Sequence, residues 1–173
     1  VLRHFRFHAE QNLDSLRLGQ GERLSHMIVV LRRVPPGCAG HRFIPEMIGE
    51  ADLVIFALYP HVFVEWITQN QHLLKSGALI TDVTGVKRGV VGKVQGMLRN
   101  DLEFIAAHPM AGREVSGVEN STEKMFIGAN FIVTPTEKNT PEAIETCIEL
   151  GRLLGFANVA TLSPEEHDEM IGF

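Results

Sequence analysis

The residue best placed to move a proton is a histidine that follows an apolar run. Leu102-Glu103-Phe104-Ile105-Ala106-Ala107 leads into His108-Pro109-Met110-Ala111-Gly112-Arg113-Glu114-Val115-Ser116-Gly117. The run reads as a buried strand, and the carboxyl ends of strands in an open α/β sheet line the crevice where such folds bind ligands. An imidazole with an ordinary pKa of about 6.5 can take a proton at neutral pH from an alcohol undergoing oxidation. Pro109 and Gly112 fix the turn that aims it. Arg113 is either an attractor of carboxylates or a solvated surface residue, and Glu114 reads equally as a first-turn acid facing a helix dipole. Two further turns follow strand-like runs. In Asp82-Val83-Thr84-Gly85-Val86-Lys87, Thr84 is a candidate helix cap, and Lys87 either favours an anionic ligand or pairs on the surface. In Tyr59-Pro60-His61 the proline ends the run before it.

Positioning these residues requires a regular alternation of strands and helices, which begins at residue 51. Ala51 to Leu58 is nearly continuous in apolar side chains, as a strand covered on both faces should be. His61 to Leu74 carries Val62, Phe63, Trp66 and Ile67 at helical spacing, and Lys75-Ser76-Gly77 supplies a stop. Ala78 to Asp82 is the next expected strand, and Val86 to Leu98 a helix weakened by Gly89, Gly92 and Gly96. Ala129 to Thr134 is a further strand, stopped by Pro135. Thr140-Pro141-Glu142 opens a helix expected to reach Leu154 with Gly155 as its cap, and Ala157 to Leu162 is a short last strand. Ser163-Pro164-Glu165-Glu166 repeats the cap signal. The pattern predicts an α/β fold with a parallel sheet between helices, its strands near 53–58, 78–82, 103–107 and 129–134. His108, Gly85 and Tyr59 then share one sheet edge.

Composition narrows the partners. The chain has 173 residues, a formal charge of -5 and scattered arginines, which disfavours a nucleic-acid partner. No run approaches the ~18 apolar residues of a membrane span, and the N-terminal residues do not read as a secretory signal, so cytoplasmic localisation is expected. Cys38 and Cys147 show no CxxC spacing and no cluster suited to a metal, and read as buried or idle thiols.

The ordered motifs together resemble a known family. His108-Pro109-Met110-Ala111-Gly112-Arg113-Glu114, the preceding Asp82–Lys87 turn and the following Phe126-Ile127-Gly128-Ala129-Asn130-Phe131 are similar to the prephenate/arogenate dehydrogenases of tyrosine biosynthesis. The resemblance runs from about Ala51 to Phe173 and includes Glu166-His167-Asp168. It implies a Rossmann-like, doubly wound, mostly parallel sheet binding NAD or NADP. It also implies that residues 163–173 open a helical second domain that carries substrate contacts and much of a homodimer interface. The implied reaction is oxidative decarboxylation of prephenate or arogenate, with hydride passing to the nicotinamide and His108 accepting the ring hydroxyl proton. Glu114, Arg113, Thr84 and Gly85 would lie near the substrate, and Tyr59, Pro60, Asp82 and Lys87 near the cofactor. No metal is implied. The turn departs from the family's usual Asp-x-Gly-Ser-x-Lys, with Thr84 at the glycine and Gly85 at the serine. For His167-Asp168 the resemblance implies proximity to the site, and no direct catalytic role is expected. Two rivals are another hydride-transfer enzyme, such as a β-hydroxyacid dehydrogenase, and a non-catalytic piece.

Residues 1–50 do not fit this scheme. A dinucleotide-binding domain should open with an apolar strand, a G-x-G-x-x-G turn and a helix, and Leu18-Gly19-Gln20-Gly21 supplies only the first two glycines. Met27 to Leu31 is a candidate strand, broken off by Arg32-Arg33-Val34-Pro35-Pro36. The segment is either a divergent or rearranged terminus or a stretch read in another frame upstream of about Glu46. Without the second strand the sequence does not separate NAD from NADP.

Overall fold

A computed structural model of the chain describes residues 5–8, 27–33, 45–111 and 125–172. Strands β1 (Phe5–His8), β2 (Met27–Arg33), β3 (Leu53–Ala57), β4 (Leu79–Asp82) and β5 (Glu103–Phe104) form one sheet in that order. Strands β6 (Ala106–Met110), β7 (Asn130–Thr134) and β8 (Asn158–Thr161) form a second. Helix α1 (Pro60–Asn70) connects β3 to β4, and α2 (Arg88–Met97) connects β4 to β5. Helix α3 (Pro141–Leu153) connects β7 to β8, and α4 (Pro164–Met170) follows β8.

The period of two along the strands builds two apolar layers. Val54 and Phe56 on β3, with Ile80, Phe104 and Ala106, pack against Phe63, Trp66 and Ile67 of α1 and Val90, Val91 and Val94 of α2. Leu53, Ile105 and Ala107 point the other way, onto Phe131 and Val133 of β7 and Ala143, Cys147 and Leu150 of α3. Each helix presents one buried stripe, so the chain forms a sheet covered on both faces. The parallel pairs β3–β4, β4–β5 and β7–β8, each linked through a helix, make the arrangement Rossmann-like.

Local signals explain where the helices begin. Pro60 and Pro141 occupy the first turns of α1 and α3, and the Thr140 side chain accepts from the Ala143 N–H. Ser163 and Glu166 form a reciprocal capping box at α4. Gly155, after α3, adopts φ +85°, the left-handed conformation that closes a helix with least strain when no Cβ is present.

Three features differ from the sequence reading. The run expected as one strand over 103–107 belongs to both sheets: Glu103 and Phe104 pair with β4, and from Ala106 onward the chain pairs with β7. His108 consequently lies inside β6, opposite Ile132, rather than after the strand. Strand β7 runs antiparallel to β6, because alternation of buried side chains specifies a strand's faces but not its direction. The strand expected around Ile28 to Leu31 is present as β2, but it continues through Arg32 and Arg33, which were expected to break it off, and it runs antiparallel to β3. Its carboxyl end therefore lies at the edge opposite those of β3 and β4, the wrong end for a phosphate turn serving the same crevice. Leu18 to Gly21 lie outside the described residues.

Candidate active site

The carboxyl ends of β3 and β4 meet β6 at one edge, which brings Tyr59, Gly85 and His108 to the same border of the sheet. Beyond Phe104 the ladder to β4 gives way to side-chain hydrogen bonds. Ile105 still donates to the Ile80 carbonyl at 3.0 Å, but the Ala107 N–H donates instead to Asp82 Oδ1 at 3.1 Å. Lys87 Nζ donates to the Ala107 carbonyl at 2.6 Å and to the Asp82 carboxylate at 3.1 and 3.2 Å. A buried ion pair thus satisfies both backbone groups of Ala107 where a neighbouring strand would otherwise do so. The Thr84 hydroxyl closes this cluster, within hydrogen-bonding reach of the Asp82 carboxylate and 3.1 Å from the Val86 carbonyl.

The sequence reading set Asp82 and Lys87 beside a cofactor, and the structure turns both inward. Neither side chain has measurable exposure. Burial lowers the pKa of Lys87, opposed by the charge and hydrogen bonds of Asp82. Thr84 is also turned inward, and it does not cap α2, whose own N-terminal residues supply no side-chain cap. The cap comes from α4: the Asp168 carboxylate accepts from the Lys87 N–H at 3.0 Å and the Arg88 N–H at 2.9 Å. Burial pushes the Asp168 carboxyl up, but the hydrogen bonds from Arg88, His167 and Lys87 prevail and hold it below its usual range.

Asp168 also anchors the histidine beside it. His167 Nδ1 lies 2.8 Å from Asp168 Oδ1, and His167 Nε2 lies 2.9 Å from His108 Nδ1. The two rings meet edge to face, with centroids 5.1 Å apart. The opposite side of the His108 ring faces Gly85, where an added Cβ would sit 3.8 Å from both Cε1 and Nε2. Gly85 is exposed and borders the Cε1–Nε2 side of the His108 ring, while the Nδ1 edge is held by a buried partner. Burial, the charge of Lys87 and the neighbouring His167 pull the His108 pKa down to about 4, against the opposing pull of Asp82 and Asp168. At neutral pH the ring is a neutral imidazole with one nitrogen free to accept a proton.

Tyr59 is 57% exposed at the end of β3 and stacks at 6.3 Å on His61, while Pro60 starts α1. Arg113 and Glu114 lie outside the described residues. The pair the sequence undervalued is His167-Asp168. Its helix was legible from the Ser163 cap, but contact with a strand 59 residues away leaves no mark on local periodicity. Cys147 is buried, which pushes its thiol up to about 12 and keeps it protonated.

The sequence profile of the family described as prephenate dehydrogenase, nucleotide-binding domain, matches residues 41–158. A prephenate dehydrogenase of Bacillus subtilis (strain 168) is 40% identical over 92 residues, 52% of this chain and 24% of that protein. One from Lactococcus lactis subsp. cremoris (strain MG1363) is 30% identical over 125 residues, 71% of this chain and 33% of that protein. The chain thus spans a third or less of the curated relatives it matches. Among solved structures, prephenate dehydrogenase from A. aeolicus in complex with hydroxyphenyl propionate and NAD+ is similar, with a TM-score of 0.65 and 30% identity, over 73% of this chain and 43% of that one. Synechocystis arogenate dehydrogenase shares the fold, with a TM-score of 0.64 and 23% identity, over 73% of this chain and 44% of that one.

Proposed function

Because the chain belongs to the family of prephenate dehydrogenase nucleotide-binding domains, we propose that it is the cofactor-binding part of an enzyme that oxidises and decarboxylates prephenate or arogenate. The observation that carries this reading is the setting of His108: a neutral ring at the sheet edge, held through Nδ1, with Nε2 on the side that borders Gly85. The A. aeolicus relative is described with NAD+ bound. Here Tyr59 is exposed at the end of β3, on the sheet edge that also carries Gly85 and His108. Tyr59 and Pro60 would flank NAD or NADP, which when bound would supply the hydride acceptor.

The chain's own residues manage the proton. His108 Nε2 accepts it from the ring hydroxyl as the carbon beneath is oxidised. The positive charge that develops on the imidazole is opposed by burial and Lys87 and supported by Asp82 and Asp168. Decarboxylation follows from aromatisation of the substrate ring. Arg113 and Glu114 belong to this proposal as substrate contacts, with Gly85 as the wall of the substrate space. Asp82, Lys87 and Thr84 hold the strand ends that aim His108. Residues 51–162 form the nucleotide-binding unit in this reading, and residues 163–173 open the helical domain through which the enzyme would dimerise.

Titration calorimetry with NAD and NADP tests cofactor binding by the chain itself. Absorbance of the reduced nicotinamide, with prephenate or arogenate and a protein extended through the helical domain, tests the reaction. Reduction with neither substrate under either cofactor would overturn the proposal.

A further inference from the structure

We propose that His167 and Asp168 are positioning residues that fix the tautomer of His108, so that its Nε2 is the nitrogen left free to act as base. The inference deepens the reading of His108 as proton acceptor and rests on it for its functional meaning, although the tautomer itself does not.

Asp168 holds both oxygens in place by accepting from the backbone N–H groups of Lys87 and Arg88 at the start of α2. An ionised carboxylate can only accept, so the His167 nitrogen 2.8 Å away, Nδ1, carries a proton. A His167 ring that carries its one proton on Nδ1 offers Nε2 as a bare acceptor. His108 Nδ1 lies 2.9 Å from that acceptor, and the contact is a hydrogen bond only if His108 Nδ1 carries its ring's proton. The lone pair of His108 is thereby placed on Nε2, on the side of the ring that borders the exposed Gly85. His167 has no measurable exposure, so water does not compete for its nitrogens. When Nε2 takes up a proton, the Nδ1 bond becomes charge-assisted, and the ordered line through His167 ends on a negative carboxylate. The orienting pair sits on α4 and the base on β6, so the base is correctly set only while α4 is docked.

Two-bond 1H–15N spectra of the histidine-labelled chain at pH ~7.5 test this, with the His108 signals identified by their loss in His108→Asn. In the unmodified chain His108 is expected to show a protonated Nδ1 and an unprotonated Nε2. His167→Asn retains a donor toward Asp168 but does not reach His108, and the two His108 nitrogens should then move toward averaged shifts. His167→Gln places a carbonyl near the former Nε2 and should restore the original pattern. A protonated His108 Nε2 in the unmodified chain, or an unchanged pattern in His167→Asn with α4 still folded, overturns the proposal. The measurement needs neither cofactor nor substrate, so an inactive enzyme with the expected tautomer would refute the functional reading and leave this one standing.

Discussion

His108 occupies a setting that changes what its pH dependence should look like. An exposed imidazole would lose its basicity as pH falls through about 6.5. Burial, Lys87 and His167 pull the His108 pKa to about 4, so the ring stays unprotonated well into the acid range. In the extended enzyme the acid limb of kcat/KM should therefore approach pH 4, and a limb in the usual histidine range would contradict the described surroundings. The same shift couples to stability. An unfolded chain protonates this ring at about 6.5, so its contribution to folding is full above that pH and is lost as pH falls toward 4. His108→Asn retains size and one hydrogen bond but cannot take a proton, and should lower kcat by roughly 10²–10⁴-fold with a smaller change in KM. Gly85 permits a separate test of the Nε2 side of the ring. An added Cβ there meets His108 only at 3.8 Å, an ordinary contact, and Gly85 has no positive φ, so Gly85→Leu should fold normally. Its side chain would cover Nε2, and kcat/KM should fall while the thermal midpoint is nearly unchanged.

Among the elements, the junction of β4 with β6 depends on a charge pair with no exposure. Lys87→Met keeps the volume but leaves the Asp82 carboxylate uncompensated and the Ala107 carbonyl without its donor. Breaking a buried pair in this way costs about 3–5 kcal/mol. Urea denaturation should show that loss, and a cost below ~1 kcal/mol would mean that Lys87 is solvated. A second test concerns α3, where a Cβ on Gly151 would come within 2.6 Å of the Phe131 ring and 3.1 Å of Val159. Gly151→Ala gains about 1 kcal/mol in helix propensity but overpacks this contact, and the net result should be destabilising by roughly 1–2 kcal/mol. These cases show what the sequence could disclose. Helix starts at Thr140 and Ser163 and the strands beginning at Leu53 and Leu79 were legible because caps and periodicity are local. The direction of β7, the division of the run over 103–110 between two sheets and the inward turn of Lys87 were not. Each is decided by partners distant in sequence, and a lysine after a strand reads the same whether it faces a ligand or a buried aspartate.

For the molecule as a whole, α4 is tied to the sheet edge through the Asp168 carboxylate and the His167 ring. Sequence alone marked Asp168 as part of a helix near the site, but its role as the missing cap of α2 appears only when residues 80 or more apart are brought together. Two carboxylates of α4, Asp168 and Glu169, reach the start of α2, and they should contribute unequally. Asp168 is nearly inaccessible and bonds two backbone donors and His167. The Arg88–Glu169 pair, at 2.8 Å, is 45% and 73% exposed, where water and salt screen it. Asp168→Ala should therefore destabilise the chain by about 1–3 kcal/mol, combining a lost cap with donors left unpaired. Glu169→Ala should cost well under ~1 kcal/mol and lose even that at high salt. Chemical denaturation of both variants at low and high salt measures the difference. If α4 is docked as described, Asp168→Ala should also speed hydrogen exchange at the Lys87 and Arg88 amides and leave the β3–β4 amides protected. An equal loss from the two variants, or exchange that rises evenly through the sheet, would show that α4 is held by its surface charge and not by the carboxylate that also orients the histidines.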